Sequence, residues 1–99
     1  MLPLSSVRVV AVEQYGAGPF GTMFLADLGA EVIKIENPSD GGDISRDVGP
    51  YYFEDRDSYF FHALNRNKKS FTLDLSKAGS KKVFHDLVRS ADAVCSNLR

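Results

Sequence analysis

The chain has 99 residues, of which 43% are apolar and 25% charged, and its formal net charge is −1. This length suits one small domain with a modest core, and the composition excludes a disordered chain. The near-zero charge supplies no global field toward nucleic acid or an anionic membrane, so any anion site must come from local clustering.

Residues 7–13, "VRVVAVE", read as a strand buried on both faces. "YGAGPFG" follows, with Gly16, Gly18 and Gly21 in the spacing G-x-G-x-x-G. A helix is expected over 19–29: Pro19 suits its first turn, Phe20, Met23, Phe24 and Leu28 recur at helical spacing, and Gly29 is a stop. "EVIKIE", 31–36, reads as a second strand, parallel to the first. Residues 37–57 are rich in Gly, Pro, Asp and Ser and read as a long loop, either functional or disordered. A short helix is expected at 58–64, a strand at 71–75 and a helix over 77–90 capped by Ser76. That helix carries the apolar stripe Val83, Phe84, Leu87, Val88 and Ala91, and a last strand spans 93–97. Ending just after a strand suggests a piece of a longer protein.

No apolar run approaches the ~18 residues of a membrane span, and no signal peptide is visible. Cys95 is the single cysteine, so no internal disulfide can form and a reducing, cytoplasmic setting is expected. The glycine motif, with Glu36 at the end of the second strand, matches a dinucleotide fingerprint. Gly16 would turn, Gly18 admit a pyrophosphate and Gly21 pack closely, while Glu36 takes ribose hydroxyls. The competing reading is a sharp strand-to-helix turn. Glu13, Gln14 and Tyr15 intervene before the first glycine, and Glu36 leads into a loop rather than a helix, so an NAD- or FAD-binding oxidoreductase is the weaker reading.

Further residues carry both bland and functional readings. Arg66, Lys68 and Lys69 form the one basic cluster, either a solvated turn or a phosphate-steering patch. Asn65 and Asn67 are expected to hold that turn through side-chain-to-backbone bonds. His62 and His85 lack metal-site spacing and read as half-buried helical residues. Cys95 reads as an inert core thiol. Asp40, Asp43 and Asp47 fail the calcium-loop pattern and read as solvated. Tyr51, Tyr52 and Phe53 either wall a channel or pack the loop down.

"GAGPFGTMFLADLGAEVIKIENPSDGGDISR" resembles the opening of the family III CoA-transferases, the CaiB/BaiF family. "YFFHALNRNKKSFTLDL", 59–75, resembles the family's second signature, "GSKKVFHDLV" its following helix, and "ADAVCSNLR" a further family segment. The resemblance implies an α/β fold with a Rossmann-like parallel sheet and flanking helices. It also implies a full length of several hundred residues, and two subunits interlocked as a homodimer. Residues 1–99 would then be the N-terminal portion of the CoA-binding domain.

It implies CoA transfer between an acyl-CoA thioester and a carboxylic acid, with coenzyme A as substrate and no tightly bound cofactor. An aspartate would attack the thioester, forming a mixed anhydride and then an enzyme–CoA thioester. No aspartate here matches that motif, so no catalytic residue is assigned and the chain alone is expected to be inactive. An acyl-CoA racemase of the same family is the alternative. The CoA contacts carried over are Gly16 and Ala17, Asn37, Leu73, Asp74, Leu75 and Ser76, and Asn97, Leu98 and Arg99. Gly16 stands where some members have glutamine, and Asn37 where many have an arginine. No metal, nucleic acid or membrane partner is expected.

Overall fold

Valine-rich runs form the centre of a parallel sheet in the computed structural model, which describes residues 1–99. Strand β1 (Arg8–Val12) pairs with β2 (Glu31–Glu36), placing Val9 level with Val32 and Val10 with Ile33. Helix α1 (Ala17–Asp27) connects them. A small hairpin of β3 (Tyr52–Glu54) and β4 (Asp57–Ser58) leads into α2 (Tyr59–Asn65). Then come β5 (Lys69–Thr72), α3 (Ala78–Arg89) and β6 (Ala93–Ser96), giving a four-stranded sheet in the order β5-β2-β1-β6.

Alternation along the strands divides the core between two faces. Val9, Ala11 and Val32 meet Ala26 and Ala30 on the α1 side. Val10, Ile33 and Ile35 meet Phe84, Leu87 and Ala91 on the α3 side. The expected stripe on α3 is therefore real at those positions, but Val83 is exposed and the helix buries no residue completely.

Several boundaries move. Helix α1 starts earlier than expected, at Ala17, and its last turn closes as Gly29 takes φ +104°. Of its expected apolar positions only Met23 is buried, together with Pro19, Thr22 and Ala26; Phe20, Phe24 and Leu28 point outward. Strand β5 begins at Lys69 and ends at Thr72, because Asp74 accepts from Ser76 N and turns the chain. Leu73 and Leu75 still pack on the Val10 cluster. Ser76 does not cap α3, whose first flanking residue is Lys77.

The segment 37–57 is not structureless. Its 3₁₀ turns at Pro38–Asp40 and Ile44–Asp47 are capped by Asn37 and Asp43, whose side chains accept from Ser39 N and Ser45 N. Gly41 and Gly42, at φ +74° and +91°, turn the chain between them.

Candidate functional site

Helices α1 and α3 cover opposite faces, and β1 lies between β2 and β6. The sheet therefore has a topological switch point between β1 and β6, where a crevice opens at the carboxyl ends of the strands. A cavity of about 200 Å³ occupies this edge. Gln14 from the end of β1, Asn37 from the end of β2, Leu73 to Ser76 after β5, and Leu98 after β6 all line it.

Of the expected contacts, Asn37, Leu73, Asp74, Leu75, Ser76 and Leu98 thus come together in one cavity, and Gly16, Ala17, Asn97 and Arg99 do not line it. Gly16 and Ala17 sit beside it at the start of α1, where the Ala17 and Gly18 amides have no partner within the chain. Arg99 is exposed and makes no hydrogen bond. Asn97 is a clamp: its Oδ1 accepts from Gln14 N at 3.0 Å and its Nδ2 donates to Gln14 O at 3.0 Å. A Cβ on Gly18 would lie 2.7 Å from Asn97 Oδ1, so glycine there makes room for the clamp. Asp74 is held by Ser76 Oγ and N–H and by Ser39 Oγ, which together keep its carboxyl below the usual range.

Charged side chains pack beneath this edge. On the α1 side the same strands end in Glu13, Lys34 and Glu36. Lys34 Nζ lies 3.1 Å from Glu13 Oε2 and 2.7 Å from Asp43 Oδ2, an ion pair whose angle does not make a hydrogen bond with Asp43. Lys68 Nζ reaches Glu13 Oε2 at 2.7 Å, and Thr22 Oγ1 donates to Glu13 Oε1 at 2.6 Å. The side chains of Lys34 and Lys68 are 2% exposed and those of Glu13 and Asp43 0%. Two cations thus balance two anions out of water, and the cluster is tolerable because it is paired.

Burial pulls Lys68 below the usual lysine value, against the pull of Glu13. Burial alone would raise Asp43, but Lys34 and the Ser45 bonds win and lower it. Glu36 beside them accepts from Arg46 at both oxygens, from Asp43 N–H and from Ser70 Oγ. These outweigh its desolvation and bring its pKa down to about 2.

Asp43 is therefore not solvated as expected, although Asp40 and Asp47 are not buried. Nor is the basic cluster free. Lys68 is buried against Glu13, Arg66 pairs with Asp27 at 2.7 Å, and Lys69 pairs with Glu31 at 2.6 Å. Asn65 bonds the Phe61 carbonyl as expected, whereas Asn67 donates to the Asp27 side chain. His62 and His85 are exposed rather than half-buried, His62 beside Asp57 at 2.6 Å. Cys95 is half-buried against the α1-side core. Tyr51 and Phe53 are exposed and lie against Tyr59, and Tyr52 donates to Asp47 O. No group of three or more His, Cys, Asp or Glu side chains is placed to hold a metal, and no helix is long and apolar enough to cross a membrane.

Strand alternation could have found the buried cluster. In "EVIKIE", Lys34 and Glu36 share a face with Val32, and Glu13 shares one with Val9 and Ala11. Charges at such positions in a sheet covered on both sides require partners.

The glycine motif does not work as a dinucleotide fingerprint. A Cβ added to Gly16 or to Gly21 would meet no atom within 4 Å, so neither glycine serves close packing. The left-handed residue of the turn is Tyr15, at φ +70°. Glu36, with both oxygens bonded to Arg46, is not available for a ribose.

The chain is 41% identical to a succinate–glutarate CoA-transferase of Agrobacterium fabrum, over 98% of its own length and 25% of that protein's. It is 40% identical to a succinyl-CoA:mesaconate CoA-transferase of Haloarcula hispanica, covering 97% of the chain and 24% of the relative. A crystal structure of a CaiB/BaiF family protein from Brucella suis superposes with a TM-score of 0.88 at 38% identity, over 98% of this chain and 26% of that one. The chain thus spans about a quarter of the length of these relatives. Residues 4–99 match the model of CoA-transferase family III, from the strand that precedes the glycine turn to the end of the cavity wall, and the chain belongs to that family.

Proposed function

We propose that the complete protein transfers CoA between an acyl-CoA thioester and a carboxylic acid, and that this chain supplies one wall of the CoA site. The observation that carries the reading is the joining of Asn37, Leu73 to Ser76 and Leu98 in one cavity at the switch point, in a chain of this family. The free amides of Ala17 and Gly18 at the start of α1 suit an anionic group of the ligand. Gly16 and Ala17 thus belong beside the phosphates, Asn97 and Arg99 at the margin. CoA is taken as substrate, with no tightly bound cofactor.

The carboxylates at this edge support a nucleophile outside residues 1–99. Glu13 and Asp43 are locked in the buried cluster, Glu36 is held by Arg46 and Asp74 by serines, while Asp40, the exposed carboxylate of the lining, accepts from Asn37 Nδ2 at 3.2 Å. On this reading the 99-residue chain turns over no acyl-CoA by itself. A homodimer and a reducing, cytosolic setting belong to the same reading; outward-facing Phe20 and Phe24 and the single Cys95 support them.

Calorimetry on the complete protein with CoA, NAD and FAD tests the ligand. CoA should bind and the dinucleotides should not. Tight binding of NAD or FAD without a CoA signal would overturn the proposal.

A further inference from the structure

The turn between β1 and α1 reaches the mouth of the cavity in an unfavourable conformation. Tyr15 has φ +70°, a region that non-glycine residues occupy only when their surroundings hold them there. Its neighbour Gln14 lines the cavity. Two sets of contacts hold this step. On the β6 side Asn97 bonds both backbone groups of Gln14. On the other side Tyr15 N donates to Asp43 Oδ1 at 3.1 Å, and Ile44 N donates to Gln14 Oε1 at 3.1 Å.

Asp43 divides its work between its oxygens. Oδ2 faces Lys34 at 2.7 Å. Oδ1 accepts from Tyr15 N and also from Ser45 N and Ser45 Oγ, the latter two each at 2.8 Å. One oxygen balances charge and the other sets geometry. Asp43 borders the cavity, but its side chain is 0% exposed and its carboxylate is turned into the protein.

We infer that Asp43 is a positioning residue for the β1–α1 turn: its Oδ1 fixes Tyr15, next to Gln14 at the mouth of the cavity, and thereby sets the affinity for a CoA thioester through the turn rather than through its own buried carboxylate. This rests on the reading that the cavity receives CoA. A preformed turn lets the ligand bind without first ordering it. The effect therefore falls on binding rather than on the chemical step.

The two oxygens can be tested separately in the complete protein. Asp43→Asn with Lys34→Met leaves Glu13 balanced by Lys68 and keeps an oxygen for Tyr15 N. Asp43→Leu with Lys34→Met keeps the same charge balance and removes the oxygen. Ile44→Pro cuts only the bond to Gln14, since Asp43 at φ −61° and ψ 131° already has the backbone that precedes proline, and proline suits the first position of the turn.

The asparagine variant should bind CoA within about twofold of the parent, Ile44→Pro about five- to tenfold more weakly, the loss of one hydrogen bond, and the leucine variant, which loses the two Ser45 bonds as well as that of Tyr15, at least as weakly. The acyl-CoA KM should rise while kcat holds, and the Tyr15 amide should exchange faster in the leucine variant. Unchanged affinity and unchanged Tyr15 exchange in the leucine variant would overturn the inference. So would an equal loss in both double variants, which would make charge the cause. If the leucine variant does not fold, a Tyr15 amide that exchanges freely in the parent overturns it. A parent that binds no CoA would defeat the functional reading, while Tyr15 exchange would still decide whether Asp43 holds the turn.

Discussion

The buried ammonium of Lys68 shares its three protons among four acceptors, Glu13, the carbonyls of Pro19 and Leu64 and Asn65 Oδ1, joining β1, α1 and the end of α2. Arg66, in the same turn, makes a bidentate pair with Asp27 from a guanidinium that is 56% exposed. Lys68→Met would strand the Glu13 and Asp43 charges with Lys34 alone and should cost about 3–5 kcal/mol. Arg66→Ala should cost far less, because its pair with Asp27 is open to solvent. Denaturant midpoints of the two variants measure the difference. Equal losses would mean that Lys68 is not the anchor described.

Glu36 supplies the pH dependence. Its folded pKa of about 2 lies below the ordinary 4.5, so the folded state binds the proton less well than the unfolded one. The contribution is fully present above about pH 5 and is lost as the pH falls toward 2; after allowance for screening it amounts to about 2 kcal/mol. Glu36→Gln should flatten the fall of the thermal midpoint between those limits. An unchanged slope would remove Glu36 as its source. None of these pairings could be read from the basic run "NRNKKS", because the partners Glu13, Asp27 and Glu31 come from other elements.

At the level of elements, β1 and β2 were legible as apolar-rich runs, with Val9 and Val10 on opposite faces of one strand, and α3 as a helical stripe with Phe84 and Leu87 on one face; α1 was legible as a helix, but its periodic Phe20, Phe24 and Leu28 lie on the outer side. The segment 37–57 was not, because tertiary contacts stabilise it: Asp43 to Lys34 and Tyr15, and Ser58 Oγ to Ser45 O. The cavity was legible only in part. The family signature located six of its residues, but the clamp role of Asn97 depends on the β6 end meeting Gln14.

The glycines of α1 give a test at this scale. Gly21 faces open space within the helix, so Gly21→Ala should stabilise the protein by up to about 1 kcal/mol. Gly18→Ala gains the same propensity, but its Cβ would fall 2.7 Å from Asn97 Oδ1 and 3.0 Å from Glu13 Cβ. It should be net destabilising and should free the Gln14 amide to exchange. Paired thermal melts separate the two, and a stabilised Gly18→Ala would mean that the Asn97 clamp is dispensable.

For the molecule as a whole the decisive fact is how much apolar surface the 99 residues leave uncovered. Phe20, Phe24 and Leu28, at 50%, 49% and 45% exposure, form a stripe on the outer side of α1, with the two phenylalanine rings edge to face at 5.0 Å. Tyr51, Phe53 and Tyr59 form a second patch by the hairpin. A helix apolar on its outer face as well as its inner one is built to be covered on both sides. Meanwhile α3 buries no residue fully, so the Val10 side of the sheet is thinly covered. Each large apolar side chain fully exposed forgoes about 1.5–3 kcal/mol, against a total stability of about 5–15 kcal/mol for a small domain. Several half-exposed rings are enough to decide the balance. The relatives, about four times longer, have the chain to supply that cover. The isolated 99-residue chain should therefore self-associate, bind a hydrophobic dye and melt with poor cooperativity, and Phe20→Ser with Phe24→Ser should reduce both dye binding and association. Sedimentation and thermal unfolding measure this. A monomer that binds no dye and melts in one sharp transition would mean that the paired charges of Glu13, Lys34, Asp43 and Lys68 and the two small apolar clusters suffice to hold the fold unaided.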